Sequence, residues 1–269
     1  MLHDWHDCVS IKLFIHKPFN TMKNFSSITI LMLLLNFAIS ASAQKPGEKY
    51  NNKDYKLKAA QVTYESRIDA LIFEITVEGQ AGKTTPTPVG SMKGAPVLGY
   101  VFPTTLKSQD IGFSATEGIV AMALTSHPDM DDTPLWDENA DGQFENDGVI
   151  WHAHWVVLNK DERVPGGLSV KEFKSGDKGV TLPKTAPGMP MYFDSPGFNV
   201  ITEGSAIRVL IPAFRMHHKK DFKFDAVSCY MQMSHGEDHH GTGKEPMLGV
   251  YNVYGVLSGN LSLPYAVKK

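Results

Sequence analysis

The chain of 269 residues has a formal net charge of −3, from 26 Lys and Arg against 29 Asp and Glu. It shows no basic stripe and no arginine cluster, so nucleic acid is excluded as the expected partner. Of its two cysteines, Cys8 falls in a segment that reads as discarded. Cys229 then has no partner, and the fold must be held by its core or by metal.

In chain order, Met22–Ala43 has the form of a signal peptide: a charged start at Lys23, an apolar centre, and a small-x-small end at Ala41-Ser42-Ala43 before Gln44. Met22 is the expected start, with residues 1–21 an over-extended reading frame. The mature chain is expected to run from Gln44 to Lys269 and to be periplasmic or secreted. The apolar part is too short, and gives way to polar sequence too abruptly, for a stable membrane anchor. Residues 44–56 are polar and rich in Lys and Asn, and read as a flexible leader to a domain over 57–269.

Leu57–Glu65 and Ala70–Glu78 predict a β-hairpin turning at Ser66–Asp69. In its second strand Leu71, Phe73, Ile75 and Val77 share the buried face. Pro96–Pro103 and Gly118–Ser126 predict further strands, and Leu106–Gly112 a single helical turn. Val149–Leu158, Ser169–Phe173, Ala206–Ile211, Phe222–Met233 and Met247–Leu257 also read as strands. Residues 174–199, broken by four prolines, predict a long irregular excursion, in which Met189, Met191, Tyr192 and Phe193 form an apolar lip. No repeat and no long amphipathic helix appears. The expected architecture is all-β, a single antiparallel β-sandwich-like domain with long loops. Its likeness to carbohydrate-binding and haem-binding sandwich modules is one of fold, which does not give function.

Residues 127–158 hold the densest metal-ligand chemistry. From Asp137 the pattern Asp-x-Asn-x-Asp-Gly places side-chain oxygens of Asp137, Asn139 and Asp141 at alternate positions, and Gly142 permits the bend that brings in the Gln143 carbonyl. Glu145 or Asp147 would add a carboxylate. Over about twelve residues this resembles the calcium loop of EF-hands, dockerins and thrombospondin type 3 repeats, and the resemblance implies Ca2+. It departs at the twelfth position, where a bidentate Glu is replaced by Gly148, and its flanks are not helical. The alternative is an acidic turn that binds nothing.

The loop runs into a strand carrying His152-Ala-His154 between Trp151 and Trp155. Alternation puts both imidazoles on one face, about 6.5–7 Å apart at their backbones, from which they can converge on one ion. The α-carbonic anhydrases use such a pair; the likeness is one of geometry only. His127, at the end of the preceding strand and followed by Asp129, Asp131 and Asp132, is the candidate third ligand. Such a set suits zinc, copper or iron; equally, His152 and His154 can be hydrogen-bonded core residues. A second cluster runs from His217 and His218 to His240 with several methionines. Soft sulfur with imidazole suits copper, while an exposed histidine-rich tip binds metal without a dedicated site. Cys229 reads as a small buried hydrophobe.

No nucleophile elbow, phosphate loop or His-Glu-x-x-His motif is present, and nothing marks Asp194 and Ser195 as part of a triad. Three functions remain open. The first is an exported, calcium-stabilised protein that binds a metal or small ligand at the His152/His154 face. The second is a zinc-dependent hydrolase or hydratase using His127, His152 and His154, with Asp129 or Asp131 as the assisting acid. The third is a structural surface module that binds calcium alone.

Overall fold

Thirteen strands run through the described residues in the order β1 (Leu57–Glu65), β2 (Ala70–Val77), β3 (Pro96–Pro103), β4 (Ile119–Ser126), β5 (His152–Lys160), β6 (Leu168–Val170), β7 (Phe193–Asp194), β8 (Val200–Glu203), β9 (Ala206–Pro212), β10 (Lys223–Phe224), β11 (Val227–Met233), β12 (Leu248–Val256) and β13 (Tyr265–Ala266). The computed structural model describes residues 44–132, 137, 139–143, 147–234 and 244–269, without the Asp147 side chain. The expected signal peptide, Glu145 and the histidine-rich tip at 235–243 lie outside them. Among the described residues no helix is long and apolar enough to cross a membrane.

The strands form two principal antiparallel sheets. One has the order β1-β2-β9-β8. The other runs β4-β3-β11-β12-β6-β5-β7, and β4 also pairs with β5, from Ile119↔Leu158 to Thr125↔His152. That pairing closes six strands into a barrel-like ring. The all-β expectation therefore holds, but a two-layer sandwich does not describe a sheet closed on itself. Closure leaves the ring strands with no free edge along their paired lengths.

Period-two alternation divides the core. Leu71, Phe73, Ile75 and Val77 of β2 point, as expected, into a cluster that also holds Leu98, Tyr100 and Phe102 of β3, Met122 and Leu124 of β4, and Ala153, Trp155 and Val157 of β5. This is the seam between the four-stranded sheet and the outside of the ring. Phe73 meets Phe102 and Trp155 edge-on there, at centroid distances of 5.3 and 6.2 Å. The opposite faces of the same ring strands fill the interior: Val97 and Val101, Ala121 and Ala123, Val156 and Leu158, with Val170, Cys229, Met231 and Val250. His152 and His154 alternate with Ala153 and Trp155, so they are turned inward. Burial pushes the Cys229 thiol up to about 12, and it behaves as the expected small hydrophobe.

Residues 44–56 depart from the expected flexible leader. They form two 3-10 turns, Glu48–Tyr50 and Lys53–Tyr55. Tyr55 is fully buried and stacks on Tyr100, and Tyr50 stacks on Tyr230. Two aromatic anchors outweigh the polar composition around them.

Candidate metal centre

His127, Asp132, His152 and His154 meet at one end of the ring interior. Each offers one ligand atom, and these atoms lie within 4.8 Å of one another. All four side chains are buried, at 1–4% exposure. His127 follows the last residue of β4. Asp132 lies five residues on, and the histidine pair opens β5.

Local structure fixes the imidazoles. The His127 Nδ1 lies 2.9 Å from the Met130 carbonyl, and the His152 Nδ1 lies 2.6 Å from the Ile150 carbonyl. A carbonyl only accepts, so both Nδ1 atoms carry the proton and both Nε2 atoms present a lone pair. Those two Nε2 atoms face each other at 2.9 Å. Two lone pairs at that distance repel unless a cation lies between them. The His154 Nδ1 is 3.0 Å from the Ser195 hydroxyl, which leaves its Nε2 inside the cluster without a hydrogen-bond partner. The Asp132 Oδ1 is likewise buried without one.

The Asp132 carboxylate stands 3.3 Å from His152 Nε2, 3.5 Å from His127 Nε2 and 3.6 Å from His154 Nε2. Donors bonded at about 2.0–2.1 Å in a tetrahedron are separated by about 3.3 Å along each edge. The two distances to Asp132 Oδ1, 3.3 and 3.6 Å, lie near that value, and the residues fit an ion held by three imidazoles and a carboxylate.

Burial pushes His154 down to about 3, with His152 and His127 adding to the effect and Asp132 opposing it. His127 is lowered for the same first reason. Burial would raise Asp132, but the neighbouring histidines outweigh it and hold the carboxyl below the usual range. Metal binding takes the imidazoles neutral and the carboxyl ionised, and the directions for His127, His154 and Asp132 favour those forms. The metal-free protein is therefore expected to lose stability in acid. Between the ordinary histidine value of 6.5 and about 3, the unfolded chain binds a proton at His154 that the folded chain refuses. Stability then falls with falling pH, by about 1.4 kcal/mol per pH unit for each such histidine. Urea titrations of chelator-treated protein from pH 7 to pH 4 check this; a flat profile would contradict it.

The surroundings are dry. A cavity of about 10 Å³ adjoins His127, Asp132 and His154, the lower limit for one water. On the other side of His154, a cavity of about 50 Å³ inside the ring is walled by side chains such as Val156, Leu158, Val170 and Val250, with no polar surface. The Phe193 ring packs on His154 at 4.4 Å.

The structure brings together all three histidines expected from sequence. Of the three acids that follow His127 it brings in Asp132, whereas the hydrolase expectation gives Asp129 or Asp131 the part of assisting acid. Asp129 instead accepts from the backbone amides of Val89 and Gly90. Ser195 and Gly148 also escaped notice as parts of the site. Gly148 fills the twelfth loop position because a Cβ there would stand 2.4 Å from the His127 carbonyl oxygen and 2.1 Å from that of Met130. Residues 139–143 of the acidic loop are exposed, and Asp137, Asn139 and Asp141 are not among the cluster residues. Asp137 accepts from the amides of Asp141 and Gly142, Asn139 from Asp141, and Asp141 from Gln143. The Asp147 backbone begins a 3-10 turn, Asp147–Val149. His217 and His218 are exposed at a turn away from the cluster.

Comparison with protein-family models, with curated proteins and with solved structures finds no match to this chain.

Proposed function

We propose that this is an exported metal-binding protein whose ring holds one transition-metal ion between His127, Asp132, His152 and His154. One observation carries the reading: four buried donor atoms within 4.8 Å of one another, two of them lone pairs opposed at 2.9 Å. A cation relieves that repulsion and balances the buried Asp132 charge; without one, both are costs. The competing hydrolase reading needs a fourth position open to water and substrate. Asp132 fills that position, and the small cavity against His127 and Asp132 has room for about one water. Binding or storage of the ion is the better account.

Elemental analysis of untagged Gln44–Lys269, with a His152→Ala/His154→Ala variant beside it, tests the proposal. About one transition-metal ion per chain is expected, absent from the variant. Calcium alone, equal in both proteins, would leave the histidines as core residues and favour a module stapled at Asp137, Asn139 and Asp141. Export is read from the sequence, and a mature N-terminus at Gln44 by mass spectrometry is its check.

A further inference from the structure

The interior of the ring is not uniform. Around the 50 Å³ cavity the wall is mainly aliphatic, with Met231 its one methionine. At the metal end four of the chain's 12 methionines, Met130, Met189, Met191 and Met233, line the small cavity against His154 and Asp132. They come from three separate segments: the loop after β4, the loop before β7, and the end of β11. Met130 and Met189 are half-buried, whereas Met191 and Met233 are at 0% and 1% exposure. The four methionines thus run from half-buried to fully buried positions around the cavity.

Their backbones are pinned. The Met191 amide donates to the Met189 carbonyl at 2.8 Å, the Met233 amide donates to the Ala95 carbonyl at 3.0 Å, and the Met130 carbonyl accepts from His127. Methionine commonly fills gaps in cores. Gap-filling does not explain why these four gather at the polar end while the aliphatic end, which has the larger void, has one.

Three properties narrow the ion. Donor distances near a tetrahedral edge suit a d10 ion, Zn(II) or Cu(I), better than Cu(II), which prefers tetragonal sites. Charge then separates the two. One carboxylate and three neutral imidazoles make a neutral complex with a monovalent ion and a +1 complex with a divalent one, and net charge in a dry interior is disfavoured. Thioether is a soft donor that selects Cu(I) and gives nothing useful to Zn(II) at a nitrogen and oxygen site. We propose that the ion is Cu(I), and that Met130, Met189, Met191 and Met233 form the soft-donor approach by which it reaches His154 and Asp132. This rests on the cluster being a metal site, as proposed above.

The test uses metal-free mature chain under anaerobic conditions, titrated with Cu(I) against bathocuproine disulfonate and with Zn(II) against a chromophoric zinc chelator. Wild type, Met189→Leu/Met191→Leu/Met233→Leu and His152→Ala/His154→Ala are compared. Leucine keeps the volume and removes the sulfur. The expected result is a preference of wild type for Cu(I), Cu(I) uptake slowed at least tenfold in the leucine variant with Zn(II) uptake unchanged, and no binding of either ion by the histidine variant. If the triple variant does not fold, Met189→Leu alone, at a half-buried position, is expected to slow Cu(I) uptake. Unchanged Cu(I) uptake in the leucine variants, or Zn(II) bound as tightly as Cu(I) by wild type, overturns the copper proposal and leaves the metal site standing. Failure of wild type to bind either ion overturns both.

Discussion

Asp132→Asn is expected to lower transition-metal affinity by more than 100-fold while raising the melting temperature of the metal-free protein. The two effects have opposite signs because the carboxylate has opposite roles with and without the ion. With the ion bound, Asp132 is the one anionic donor, and an amide of the same shape supplies neither its charge nor its second oxygen. Loss of a residue that merely orients a ligand costs about 10–100-fold, and loss of the ligand costs more. Without the ion, the same carboxylate is a buried charge 3.3–3.6 Å from three nitrogens. Two of those nitrogens present lone pairs, which Asn can satisfy with its NH2 group. A net gain of about 1 kcal/mol corresponds to about 2–4 °C for a chain of this size. Calorimetry with and without chelator measures both signs. A variant that melts lower without metal and binds metal as wild type does would make Asp132 a structural acceptor, and the cluster a hydrogen-bonded core.

The parts of this site legible in the sequence are those governed by period two. Alternation put Leu71, Phe73, Ile75 and Val77 on one face and His152 with His154 on another, because a strand fixes the side of every second residue whatever it pairs with. His127 was reachable because it ends an apolar run that reads as the neighbouring strand. Closure of the ring was not legible. It depends on β5 pairing with β4 along one edge, from His152 to Leu158, and with β7 and β6 along the other, and the alternation of β5 is the same in an open sheet. Nor was the choice of Asp132 over Asp129 and Asp131, since loop dihedrals, for which composition carries no period, decide which of three nearby carboxylates turns inward. The supposed leader was misread for a simpler reason. Lys and Asn dominate residues 44–56 by number, but Tyr50 and Tyr55 dominate by buried area, and two aromatic side chains suffice to fix a short segment.

Gly148→Ala is expected to cost about 1–3 kcal/mol of stability, the range for overpacking a filled core, and to weaken metal binding about 10–100-fold, although Gly148 offers no ligand atom. Its backbone carries no left-handed strain, so the requirement for glycine is purely spatial. The added methyl would meet the Met130 carbonyl oxygen at 2.1 Å and the His127 carbonyl oxygen at 2.4 Å. Both are backbone atoms, and neither can rotate away. The 3-10 turn must therefore shift, and its shift strains the 2.7 Å hydrogen bond from the His127 amide to the Gly148 carbonyl. The Met130 carbonyl that fixes the His127 tautomer moves with it, so one donor of the cluster is displaced. Gly142→Ala provides the contrast. Gly142 has φ near +80° with nothing within 4 Å of the added methyl, so alanine there costs about 1 kcal/mol of backbone strain and leaves the cluster untouched. Chemical denaturation and metal titration of the two variants separate the cases. Gly148→Ala should lose stability and affinity together, and Gly142→Ala stability alone. Equal transition-metal affinity in both would mean that His127 is not held through Gly148, and that the turn closing the acidic loop has no part in building the site.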